Sequence, residues 1–129
     1  MPLLIVCRKG ELEDLSRLQI SSELSASAES IEFNVIGMGH EFWVAIDGSI
    51  IIGMVVLGRE SPNELRIMYL EVAPSQKGKG VGSDLIQSVL SHYPSCEISV
   101  IPFEGTADFY RKLGFIKVGN WEMRKSRVR

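Results

Sequence analysis

The sequence predicts an α+β fold: a mixed, mostly antiparallel central sheet flanked by helices. Three observations carry this. Short apolar runs bounded by turn residues recur along the chain. Separate stretches, Glu11 to Leu24 and Val81 to Leu90, place apolar residues at helical spacing. The second of these helices lies between two strand-like segments, directly behind a loop rich in glycine, and a strand–helix–strand order of that kind implies one parallel crossover.

The elements follow in order. Leu3–Arg8 is a short strand, and Leu12, Leu15, Leu18 and Leu24 then mark an amphipathic helix with acidic residues in its first turn. Residues 25–41 begin small and polar and end with Ile31, Phe33, Val35 and Ile36, which suits a second short helix and a mobile loop. Phe42–Ile46, Asp47-Gly48 and Ser49–Leu57 predict a hairpin, because Asp-Gly tolerates the positive φ of tight turns. Ile50–Leu57 is apolar on both faces apart from Gly53, the pattern of a covered central strand. Ser61-Pro62-Asn63 turns the chain into a strand over Glu64–Val72, which Pro74 ends. The helix from Val81 closes near Tyr93-Pro94, and Glu97–Ile101 is the next strand. Thr106–Leu113 is a helix with Thr106 as N-cap and Gly114 as stop. Phe115–Val118 and Trp121–Lys125 pair around Gly119-Asn120.

With 129 residues, 45% of them hydrophobic and 23% charged, the chain is expected to form a single domain over 1–129 with the composition of a soluble globular protein. No apolar stretch approaches the roughly 20 residues of a membrane-spanning helix. Cys7 and Cys96 match no metal-ligand spacing and no disulfide framework, so a reducing, cytoplasmic location and no metal are expected. The net charge of −2 gives no overall attraction to nucleic acid. Residues 1–64 nevertheless hold ten acidic and four basic side chains, and residues 65–129 hold six and ten. Either the second half favours an anionic ligand, or the two sets interleave on the folded surface.

The loop Lys77-Gly78-Lys79-Gly80-Val81-Gly82 has a physical reason to bind phosphate. The first amides of the following helix lack intrahelical partners, and the helix dipole adds about half a positive charge there. Glycines let the backbone turn tightly and let a ligand reach the amides, while Lys77 and Lys79 add mobile charge. A tight connector is the weaker alternative. The Walker pattern is absent, and Ser83 stands where the dinucleotide fingerprint would need its last glycine, with only 47 residues left after Gly82 for the rest of such a sheet.

Leu70-Glu71-Val72-Ala73-Pro74-Ser75-Gln76-Lys77-Gly78-Lys79-Gly80-Val81-Gly82 resembles the acetyl-CoA-binding motif of the GNAT (GCN5-related) N-acetyltransferases. Downstream, Ala107-Asp108-Phe109-Tyr110-Arg111-Lys112-Leu113-Gly114-Phe115 is similar to their second landmark, and the resemblance runs from about Phe42 to Trp121. It implies the GNAT fold, acetyl-CoA as acetyl donor, and an amine of a small molecule or peptide as acceptor. It further implies that amides of residues 78–82 hold the pyrophosphate, that the strand at Leu70 and Val72 bonds the pantetheine arm, and that this strand and Glu97–Ile101 splay apart. Lys79, Arg111 and Lys112 would meet the outer phosphates. Lys77 departs from the Gln or Arg usual in the family, keeping charge but losing planar hydrogen bonding.

By the same resemblance Tyr110 takes the position of the general acid that protonates the departing sulfur, the alternative being a buried tyrosine that anchors its helix. Candidate bases are Glu64, two residues before Arg66 on the same strand face, and Glu104, where many relatives carry asparagine; exposed glutamates are more often simply solvated. His40 and His92 are further but lesser candidates. Residues 25–42 with Trp43 and Glu60 are expected to select the acceptor, and Phe33, Phe42 and Trp43 either line its pocket or belong to the core. The acidic first half hints at a cationic acceptor. The strand pair at 115–125 offers a homodimer interface. The competing function is an acetyl-CoA-binding sensor on the same fold without turnover.

Overall fold

The computed structural model describes residues 5–20, 24 and 28–127. Seven strands form one sheet in the order β1-β2-β3-β4-β5-β7-β6. They are β1 Ile5–Lys9, β2 Glu41–Asp47, β3 Ile50–Ser61, β4 Glu64–Val72, β5 Glu97–Val100, β6 Ile116–Val118 and β7 Glu122–Lys125. Four α-helices accompany them: α1 Leu12–Ile20, α2 Ala28–Glu32, α3 Val81–His92 and α4 Ala107–Lys112. Every neighbouring pair is antiparallel except β4 and β5, which α3 connects in parallel. This is the mixed, mostly antiparallel sheet flanked by helices that the apolar pattern predicts.

Residues paired across strands share a face, so the registers locate the helices. Cys7, Ala45, Gly53 and Val72 form one row. A Cβ on Gly53 would meet Val81 at 2.9 Å and Leu85 at 3.1 Å, so α3 packs against this row, and the missing side chain is what lets it approach. The next row is Arg8, Val44, Met54 and Glu71, and Arg8 there holds Asp14 of α1. Hence α1 and α3 cover opposite faces. Leu15, Leu18, Leu24 and Ile31 meet β3 from one side, and Val81, Leu85, Ile86 and Val89 meet the sheet from the other. Burial on both sides explains the continuous apolar run of β3, buried from Ile51 to Gly58.

Several boundaries differ from expectation. The first helix spans Leu12–Ile20, and Leu12 is 68% exposed, outside the apolar stripe. Residues 1–4, 21–23 and 25–27, parts of the expected first strand, first helix and mobile loop, lie outside the described residues, as do residues 128 and 129. A π-helical turn over Phe33–Gly37 follows α2. The first hairpin turns on Gly48-Ser49, with Asp47 still paired to Ile50. Only Gly48 has positive φ, the pattern of a type II′ turn. Thr106 sits at the N-cap of α4 but donates its hydroxyl proton to the Phe103 carbonyl at 2.6 Å and caps no helix amide. Phe42 and Trp43 are core residues, whereas Phe33 is exposed.

Candidate active site

The site begins with an irregularity in β4. Val56 pairs with Tyr69 and Leu57 with Ile67, so Met68 is an extra residue, a β-bulge that sharpens the twist of the strand. Pairing of β4 with β5 ends at the same point, with Ile67 opposite Val100. Beyond it β5 stops and Pro102, which has no amide hydrogen, carries the chain away. From Met68 to Val72 the edge of β4 therefore faces a gap where β5 would continue. The two strands make a fork.

A cavity of about 560 Å³ occupies the fork. It is bounded by β4 from Ile67 to Val72, the loop and first turn around Gly78–Ser83, the segment Val100–Thr106, and Phe109 and Tyr110 of α4. Its size is that of a small-molecule site. Ala73 binds the Ile52 carbonyl at 2.8 Å, and a 3₁₀ turn over Pro74–Gln76 leads into the glycine loop. Gly78 and Gly80 have φ of 79° and 83°, a region that side chains oppose. The first intrahelical bond of α3 runs from the Asp84 amide to Gly80 at 2.9 Å. The amides of Val81, Gly82 and Ser83 precede it and point out of the helix N-terminus toward the cavity. Gly82 makes room of another kind, since a Cβ there would lie 3.4 Å from Phe109 and 3.5 Å from Val72.

Tyr110 is 5% exposed, with its ring edge-on to Phe109 at 5.0 Å and to Phe115 at 5.5 Å. Burial alone pushes its phenol up to about 12. The group therefore keeps its proton at neutral pH while lining the cavity.

Of the residues singled out in the sequence, Leu70, Val72, Lys77, Gly78, Gly80, Val81, Gly82 and Tyr110 line this cavity. Lys79 and Lys112 are exposed and outside its lining; Arg111 pairs with Asp108. Glu104 is exposed, between the lining residues Phe103 and Gly105. Glu64 accepts the Ser61 hydroxyl proton at 2.9 Å, in a separate hollow of about 130 Å³ shared with Glu60, Arg66, Glu97, Glu122 and Arg124. There Arg66 pairs with Glu122, with Glu60 at 3.3 Å and with the Ser99 hydroxyl at 3.3 Å. Sequence reasoning missed Met68, Phe103, Thr106 and Phe109 as cavity residues. Phe109 lay within a recognised motif, but nothing in the sequence marks Met68 as a bulge.

The residues present fit a phosphorylated, extended thioester. A strand edge without its partner can bond a polyamide arm, and two positive-φ glycines before a helix N-terminus suit pyrophosphate. Among the described residues no group of three His, Cys, Asp or Glu side chains is placed to hold a metal. No described helix is long and apolar enough to cross a membrane.

A gapped mixed sheet with an anion loop at its fork defines an acyltransferase of the acetyl-CoA class. Residues 38–117 match the family model of the acetyltransferase (GNAT) domain, and the chain belongs to that family. No curated protein matches it in sequence. Among solved structures it is similar to Ard1 from Thermoplasma volcanium, with 18% identity over 97% of this chain and 99% of that one and a TM-score of 0.77. A GNAT family acetyltransferase from Brucella melitensis, in complex with acetyl-CoA, gives 14% identity, 99% and 91% coverage and a TM-score of 0.75. The ribosomal-protein-S18-alanine N-acetyltransferase from Escherichia coli gives 14%, 94% and 89%, and 0.72. At these identities the likeness is one of fold.

Proposed function

We propose that the protein moves an acetyl group from acetyl-CoA to a primary amine of a small molecule or peptide, with Tyr110 as general acid. The observation that carries this reading is a buried, protonated phenol on the wall of a cavity whose other walls suit coenzyme A. Acetyl-CoA supplies an activated thioester. The chain's own residues bind and orient it. Amides at 78–82 and Lys77 hold the pyrophosphate, and the free edge of β4 at Leu70 and Val72 aligns the arm. Alignment of reacting atoms can remove about 7–11 kcal/mol from a barrier. Tyr110 then gives its proton to the departing sulfur, a step in which a positioned acid contributes roughly 10²–10⁴-fold.

The test is thiol release from acetyl-CoA across a panel of amines, with CoA protection followed in a thermal melt. Wild type should release thiol with at least one amine, and Tyr110→Phe should lose about 100-fold or more in kcat while CoA still protects it. CoA protection without release for any amine would make the protein a sensor instead. Absence of protection would defeat both readings.

A further inference from the structure

Acetyl transfer to an ammonium group moves three protons: two leave the nitrogen, one before it attacks and one as the amide forms, and one reaches the sulfur. Tyr110 lies beside Phe109, which faces Gly82 of α3. We infer that His40 takes the first of the nitrogen's protons, from the opposite side of the fork; this rests on the acetyltransferase reading above.

Three features meet at that point. Tyr69 pairs with Val56, one pair beyond the bulge, and both belong to the face that α1 covers. Gly58, paired with Arg66, lies on the same face, and its bare backbone is a floor for two side chains. A Cβ on Gly58 would stand 3.2 Å from the Met68 sulfur and 3.4 Å from His40 Cε1. Met68 is also a wall of the cavity and is 45% exposed, so one residue of the cavity wall shares the Gly58 floor with the imidazole. His40 is half-buried, its amide donates to the Asn34 carbonyl at 3.1 Å, and it directly precedes β2, which ties its backbone to the sheet.

The carboxylates suit the role less well. Glu60 and Glu122 are held by Arg66, Glu64 is four residues from Met68 along β4, and Glu104 is exposed on its loop. Glu41, next to His40 in sequence, turns to the α3 side, where it meets Tyr93 at 3.1 Å, Arg59 at 3.4 Å and Lys9 at 3.6 Å. The charged groups on His40's face of the neighbouring strands are Arg8, held by Asp14 of α1, and Glu60, Arg66 and Glu71, while α2 carries Glu29 and Glu32.

The acceptor arrives as an ammonium. One N–H bond breaks, its electron pair stays on nitrogen, and the proton passes to the unprotonated imidazole nitrogen of His40, directly or through one water. The nitrogen–carbon bond forms, the carbon–sulfur bond breaks, and the thiolate takes the Tyr110 proton. The acylated nitrogen then loses its second proton, which returns through water to the Tyr110 phenolate, and the imidazolium releases its proton to solvent.

The experiment is the pH profile of kcat/KM for wild type, His40→Gln and His92→Gln. His92 is exposed at the end of α3, against Trp43 and Tyr93, and its variant should match wild type. Wild type should show an acidic limb. In His40→Gln the rate above that limb should fall about 100-fold, the limb should move to the range of the acceptor's own amine, and added imidazole should restore part of the rate. CoA protection in a melt should be unchanged. A His40→Gln profile that superimposes on wild type would overturn the inference, as would a lower rate with an unmoved limb and no imidazole rescue. Wild type without turnover for any amine would instead defeat the acetyltransferase reading on which it rests.

Discussion

Gly80 and Gly82 show how two identical residues in one loop do different work. Gly80 has φ of 83°, so Gly80→Ala forces a left-handed alanine and should cost about 1–2 kcal/mol. Gly82 needs no special φ, and its added methyl would make ordinary contacts. Gly82→Ala should therefore keep the melting temperature in the absence of ligand within a few degrees of wild type. Its methyl enters the cavity between Phe109 and Val72, so CoA affinity should still drop about tenfold, or roughly 1.4 kcal/mol. A paired melt and titration separates the two: stability changes in the first variant, affinity at constant stability in the second. The glycine spacing is plain in the sequence; which glycine serves the backbone and which the ligand is not, because that depends on where Phe109 comes to rest.

Asp14 carries a comparable argument for an element. It stands in the first turn of α1, where its carboxylate accepts the Glu11 amide proton at 2.8 Å, half of a capping box. The same group takes both arms of the Arg8 guanidinium, at 2.8 and 2.9 Å, which clamps α1 to β1. Burial pushes this carboxyl up, but the Arg8 and Glu11 bonds outweigh that and hold it below its ordinary value. A depressed folded pKa stabilises above the unfolded value, about 3.9, and that stability is lost as pH falls through the folded one. Asp14→Asn should cost about 1–3 kcal/mol in urea at neutral pH, and the gap from wild type should close in acid. The elements themselves were legible wherever periodicity and turn chemistry agreed, as in β4, which spans Glu64–Val72 as predicted. Helix ends were less so: α1 is described over Leu12–Ile20, whereas Leu24, which continues its apolar spacing, enters the core from a turn.

At the scale of the whole molecule, sheet order largely follows chain order, so the acidic first half builds β1 to β3 and the basic second half builds β5 to β7. The glycine loop itself carries Lys77 and Lys79. CoA affinity should weaken several-fold from about 0.05 to 0.5 M salt, and less steeply in Lys77→Gln, as titration calorimetry would measure. The glycine loop was readable as a cavity wall because its residues are contiguous. The proposed acceptor side was less so, because His40, Gly58 and Met68 come from separate segments of the chain. The gap at the fork has one more consequence. On the proposed reading, in which acetyl-CoA completes the sheet along β4, the protein's lifetime is set by supply. At a hundredfold excess over Kd the bound form gains about 2.7 kcal/mol, so limited proteolysis should slow roughly a hundredfold when acetyl-CoA is abundant. Starvation for the donor would then remove the catalyst as well as its fuel.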